Sequence, residues 1–158
     1  MSATHTGPAA VAGRIRGMIA TAGGTGGYVV RLPEYNPVFA RALADSLDLD
    51  CHDFRAERMR AHGLAAARLE LSALDEALRD WSAGRGTFVN NVESLLATKP
   101  SADRRTWLAG FLDASWPSPL VLPLAIFPED LPERPGRICA VEADEIPADS
   151  LLIRLASQ

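Results

Sequence analysis

Lysine is almost missing from this chain. Of 16 basic residues one, Lys99, is a lysine and the rest are arginine. Schiff-base chemistry and a lysine that grips phosphate therefore rest on Lys99 or are absent. Cysteine is scarce too, and Cys51 and Cys139 cannot build a disulfide scaffold. No apolar run is long enough to span a membrane. Residues 1–10 lack the basic start and continuous apolar stretch of a secretory leader. These readings place the chain in a reduced, cytoplasmic compartment. The net charge of −4 argues against a dominant nucleic-acid footprint, while leaving room for local arginine patches.

What the chain does have is apolar material, 47% of its 158 residues, enough to bury one real core. The reading is a disordered start over residues 1–10 and a single domain over 11–158. A helix is expected near Val11–Ala20, then a flexible glycine joint over residues 22–27. Tyr28-Val29-Val30-Arg31-Leu32 has strand composition. Asn36 and Pro37 together signal a helix start, and Phe39, Leu43 and Leu47 form its apolar stripe. Leu47 to Phe54 alternates as a half-buried strand does. Arg55 to Ala67 reads as a helix or a long excursion, and residues 68–71 as a short extended piece. Ser72 is the expected cap of the next helix, with Leu74, Leu78 and Trp81 on its inner face. Thr87-Phe88-Val89 opens a strand, interrupted at Asn90-Asn91 and followed by Val92 to Leu96. Ser101 is expected to cap a helix carrying Trp107, Leu108, Phe111 and Leu112. Leu120 to Phe127 has the composition of a buried strand, but Pro123 cannot donate to a ladder, so the strand either ends there or bulges. A strand over residues 137–141 and a helix over 148–156 complete the series. Helices alternating with apolar strands predict an α/β domain: a mostly parallel five-stranded sheet flanked by helices.

That order, with its spacings, is similar to the core of P-loop NTPases of the RecA/AAA-like kind. The segment Phe88-Val89-Asn90-Asn91-Val92-Glu93 resembles the acidic strand of the small P-loop proteins of BREX phage-defence operons, which reads apolar-apolar-Asp-Asn-Ile-Glu. Phe39 to Ala44 looks like the helix that follows a phosphate loop. The resemblance implies a P-loop-type fold, a place in a phage-defence or other multi-protein assembly that processes nucleic acid, and a nucleotide site after the first strand.

The chain departs from that pattern where the chemistry lies. A phosphate loop needs glycines so that backbone N–H groups can close on phosphate, a lysine for its charge and a hydroxyl for Mg²⁺. Between Leu32 and Phe39 there is no glycine, no lysine and no hydroxyl except that of Tyr35. Glu34 places negative charge there, and Pro33 and Pro37 remove two N–H donors. Asn90 stands where the magnesium-binding aspartate would be, and a neutral amide is a poor Mg²⁺ ligand. Glu93 is retained but has no metal and phosphate clamp to work with. The expectation is a non-catalytic adaptor or scaffold with no cofactor and no metal. It would bind a protein partner, such as a larger ATPase or nuclease, through Glu34, Tyr35, Asn36, Asn90, Asn91, Glu93 and Trp116. Two alternatives stand beside it. One is an unconventional nucleotide hydrolase with Glu93 as base. The other is a nucleic-acid-binding domain using a basic patch of Arg55, Arg58, Arg60, Arg104 and Arg105. In the adaptor reading, Arg104 and Arg105 are the candidates for an arginine supplied to a neighbouring ATPase.

Other constellations carry less. Cys51, His52, Asp53 and His62 are metal-capable, but neighbours on a strand face opposite ways. They read as a buried cysteine, an exposed histidine and a strand-end aspartate. A Cys51/His52 nucleophile pair fails on the same geometry. Glu129, Asp130 and Glu133, like Asp144, Glu145 and Asp149, read as solvated acidic surface. Trp81, Trp107 and Trp116 read as core or interface anchors.

Overall fold

The computed structural model describes residues 7–147. Five strands form one sheet: β1 (Gly26–Arg31), β2 (Asp50–Asp53), β3 (Thr87–Asn90), β4 (Pro119–Leu124) and β5 (Ile138–Ala140). All pairings are parallel, in the order β2-β3-β4-β1-β5. The helices are α1 (Pro8–Thr21), α2 (Pro37–Leu47), α3 (Leu71–Trp81), α4 (Glu93–Leu96) and α5 (Ser101–Asp113). Among the described residues, no helix is long and apolar enough to cross a membrane.

Strand alternation divides the core in two. Tyr28 and Val30 of β1, Phe88 of β3 and Val121 of β4 pack with α1 and α2 on one face. Val29, Val89, Leu120, Leu122 and Leu124 pack with α3 and α5 on the other. This follows from the order of strands. The β1-to-β2 connection runs one way along the sheet, and the β2-to-β3 and β3-to-β4 connections run back. Right-handed crossovers must then place α2 on the face opposite α3 and α5.

Local signals account for most element boundaries. Asn36 is extended (φ −144°) and accepts the Phe39 N–H on Oδ1 at 2.9 Å, with Pro37 opening α2. Asp48 at φ 55° ends α2, so β2 starts only at Asp50 and not at Leu47. The glycines before β1 are only partly a joint. Gly26 and Gly27 belong to the strand, and a Cβ on Gly27 would lie 2.7 Å from the Phe111 carbonyl oxygen. Glycine is there because α5 crosses β1 at backbone range.

Several expectations are corrected. α1 begins at Pro8, so residues 8–10 are helical. Arg55–Met59 is a π-helical turn and Arg60–Arg68 a run of 3₁₀ turns, kinked at Gly63. α3 starts at Leu71 after Glu70, so Ser72 lies inside the helix and is not its cap. Ser101 is likewise the first helical residue, and its hydroxyl turns to Asp130. Val92 to Leu96 is a helical turn and not more strand, because Asn91 at φ 64° swings the chain out of the sheet. β4 ends at Leu124, before Phe127. The helix expected over residues 148–156 lies outside the described residues.

Candidate functional site

β1 and β4 are neighbours whose onward connections leave on opposite faces, the place where open α/β sheets form a crevice at their carboxyl ends. A cavity of about 690 Å³ lies there. Its walls come from the β1–α2 loop (Leu32, Tyr35, Asn36), from Val38 and Arg41 of α2, from β2 (Cys51, His52, Asp53) and from Arg55 and Glu57 just beyond it. Asn90 at the end of β3, Asn91 and Glu93 after it, Pro123 of β4 and Ala125 just past that strand complete them.

Pro123 helps to open this cavity. Leu32 N–H donates to Leu124 O at 2.8 Å, so even-numbered residues of β4 turn their backbone groups to β1 and odd-numbered ones turn to β3. Val121 pairs with Phe88, but Pro123 has no N–H to offer β3. The β3–β4 ladder stops at Val121, while β4 stays paired to β1 through Leu124.

The β1–α2 loop presents a helix start that is largely satisfied from within. Pro37 has no N–H, the Phe39 N–H is capped by Asn36 Oδ1, and the Ala40 N–H donates to Asn36 O at 3.0 Å. Of the first four helical residues only Val38 is left to offer a donor outward. Asn36 is buried, at 1% exposure, and its Nδ2 has no hydrogen-bond partner. Tyr35 and Val38 stand outside, 52% and 37% exposed.

The opposite wall is a network of internally engaged polar groups. Asn90 Nδ2 donates to Cys51 Sγ at 3.4 Å, and Asn91 Nδ2 to Asp53 Oδ2 at 2.9 Å. Asp53 Oδ1 accepts the Ala56 N–H at 3.0 Å, starting the π-helical turn. Glu57 reaches back to the Asp53 N–H at 2.8 Å and to His52 Nδ1 at 3.0 Å, covering part of the exposed edge of β2. Glu93 Oε2 accepts the N–H groups of Ala125 and Ile126, both at 3.0 Å. Burial raises the Glu93 pKa, and the two amide bonds offset this only in part.

Cys51 is exposed, contrary to the buried cysteine expected, because β2 is an edge strand that no neighbour covers on its far side. Desolvation still raises its pKa against the pull of Arg41, so the thiol stays protonated at neutral pH and is a weak nucleophile. His52 turns to Glu57 and stacks on Trp81, with ring centroids 4.4 Å apart, and makes no pair with Cys51. Among the described residues no cluster of histidine, cysteine and carboxylates could hold a metal ion.

The structure thus brings six of the expected partner-binding residues to one end of the sheet, with Tyr35, Asn36, Asn90, Asn91 and Glu93 lining the cavity and Glu34 in its loop. It separates Trp116 from them. Trp116 precedes β4 at the amino end of the sheet, where it packs on Phe111 and donates from Nε1 to Phe111 O at 3.0 Å. The five arginines of the expected basic patch are also scattered. Arg104 donates from Nε to Asp130 Oδ2 at 2.7 Å and lies 3.8 Å over the Phe127 ring, while Arg105 reaches Asp130 Oδ1 at 3.1 Å. Arg58 pairs with Asp80 and lies over Trp81, while Arg55, Arg60 and Arg105 are exposed. Asp130 is correspondingly not solvated surface but buried, at 1% exposure.

The sequence reading missed Val38, Arg41 and Ile126. Pro123, marked by the sequence as unable to donate to a ladder, lies just beyond the point where the β3–β4 pairing stops. For Val38 and Ile126 no signal existed, since an apolar residue carries no mark of exposure. No family model matches this chain, and no curated protein matches its sequence.

Proposed function

We propose that this chain is a non-catalytic, P-loop-like adaptor that docks a protein partner at the carboxyl end of its sheet, in a cytoplasmic multi-protein assembly such as a phage-defence complex. The observation that carries this reading is the state of the α2 N-terminus. Of the donors that would meet a phosphate, all but the Val38 N–H are removed by Pro37 or taken by Asn36, and no lysine stands between Leu32 and Phe39. The five-stranded parallel order is consistent with a P-loop-like core. Three of the four exposed large apolar side chains among the described residues belong to the segments around this cavity: Tyr35 in the β1–α2 loop, Val38 in the first turn of α2 and Ile126 after β4. An apolar rim over a mixed floor suits a protein surface better than a triphosphate.

Calorimetric titration with ATP and Mg²⁺ tests it. The expected result is no heat and no thermal stabilisation at millimolar nucleotide. Micromolar binding would overturn the reading in favour of a hydrolase. That second reading draws on Glu93, a buried carboxylate of raised pKa in the cavity wall, as general base. Against it, Glu93 Oε2 is already held by two backbone amides.

A further inference from the structure

Leu64 is the fourth of the exposed large apolar side chains among the described residues, and at 100% exposure nothing of its own chain covers it. It belongs to the excursion between β2 and α3, which is pinned at both ends and projects between them. Met59 and Ala66 are buried in the same core as α3 and α5, whereas residues 60–65 are exposed without a break. Gly63, at φ 56° and ψ −129°, turns the chain at the crest, where an added Cβ would meet nothing within 4 Å. The result is a convex knob that carries Leu64 between Arg60 and Arg68, in a stretch of nine residues that holds no acid.

A convex apolar knob needs a concave seat, and the chain carries one at the same end of its sheet. The cavity has Tyr35 and Val38 in its wall and Ile126 beside it, and about 690 Å³ admits a leucyl side chain with its neighbours. Its wall sets three carboxylates, those of Asp53, Glu57 and Glu93, against the guanidinium groups of Arg41 and Arg55. Backbone and side-chain amides hold these carboxylates but cancel none of their charge. The knob is basic where the seat is acidic.

The excursion follows directly from β2, whose residues wall the cavity, so knob and seat share one end of one molecule. A two-fold axis then lets each of two chains seat its knob in the other, the self-complementary arrangement of a closed dimer. We infer that the chain pairs with a second copy of itself, Leu64 of each entering the cavity of the other while Arg60 and Arg68 meet its carboxylates. This goes beyond the docking reading and does not depend on it.

Sedimentation velocity of the full chain over a range of concentrations tests this, with native mass spectrometry to weigh the species. The wild type is expected to pass reversibly from monomer to dimer as concentration rises, and to dissociate as salt screens the arginines. Leu64→Asp and Val38→Arg change exposed side chains, so each is expected to keep the wild-type Tm as a monomer. The first spoils the knob and the second the seat, and each is expected to weaken the dimer about tenfold or more. Mixed, the two variants are expected to form a heterodimer more readily than either pairs with itself, because the intact knob of one meets the intact seat of the other. A chain still monomeric at about 1 mM overturns the proposal, whatever else it binds. So does a dimer that Leu64→Asp leaves unchanged, which would place the interface elsewhere, and so does a mixture that recovers no pairing.

Discussion

Glu93 Oε2 accepts the Ala125 N–H at 3.0 Å and so ties the turn after β3 to the chain leaving β4. Ile126 adds a second N–H to the same oxygen. The loop bearing Ile126 is therefore held by a carboxylate from another strand end, across the space where the β3–β4 ladder has stopped.

Burial raises the Glu93 pKa above its unfolded value of about 4.3. A group of this kind favours folding while protonated, below the unfolded pKa, and that contribution is lost as pH rises through the folded pKa. Glu93→Gln resembles the protonated carboxyl. At pH 7 it is expected to be at least as stable as wild type, with a flatter dependence of Tm on pH above about pH 4. Glu93→Ala leaves two amides without their acceptor and is expected to lose about 1–3 kcal/mol in urea unfolding. A clearly destabilised Glu93→Gln would show that the charge itself holds the loop.

Asp130 behaves in the opposite sense on the same loop. The Ser101 hydroxyl and then Arg104 hold its pKa below the usual carboxylate value. Its contribution is present above the unfolded pKa of about 3.9 and is lost as pH falls through the folded value. Asp130→Asn is expected to lower Tm at pH 7 and to flatten the acid limb of the stability profile. Unchanged stability at pH 7 would mean that Arg104 and Arg105 need no anion there.

Gly27 marks a contact that no larger residue can share. A Cβ would meet the Phe111 carbonyl oxygen at 2.7 Å and its ring carbons at 2.9 Å. Gly27→Ala is expected to cost about 1–3 kcal/mol by overpacking, measured by urea unfolding with an unchanged m-value. A neutral substitution would mean that α5 can slide away from β1.

The arginines should separate by substitution. Arg58 lies 5.0 Å over the Trp81 ring and pairs with Asp80, so Arg58→Ala is expected to lose about 0.5–1 kcal/mol. Arg55→Ala and Arg60→Ala are expected to stay within about 0.5 kcal/mol of wild type. Salt-sensitive DNA binding that is lost with Arg55 and Arg60 but kept in Arg58→Ala would favour a nucleic-acid-binding role.

Much of the architecture was legible because its signals are local. The Asn36-Pro37 start of α2 is a contact between residues three apart, and β-branched runs separated by apolar helical stripes announce a parallel sheet. Helix starts without a side-chain cap were less legible. Ser72 and Ser101 have cap chemistry, yet α3 begins at Leu71 and Ser101 already lies in α5, its hydroxyl bonded to Asp130. A serine shows what it can bond, not which partner packing will bring.

By itself, the sequence determined that one α/β core would form, that α2 would begin at Pro37, and that the loop before it would carry no lysine. Those properties follow from residue type and short-range spacing. Tertiary structure alone decided that Asp130 is buried beneath two arginines, that Trp116 lies at the far end from Tyr35, and that Asn36 Nδ2 is buried without a hydrogen-bond partner. Each depends on which strands become neighbours. Ser101 and Asp130, 29 residues apart, meet because β4 runs beside β1, where α5 crosses. Ladder pairing and burial are long-range, and no window of sequence contains both partners.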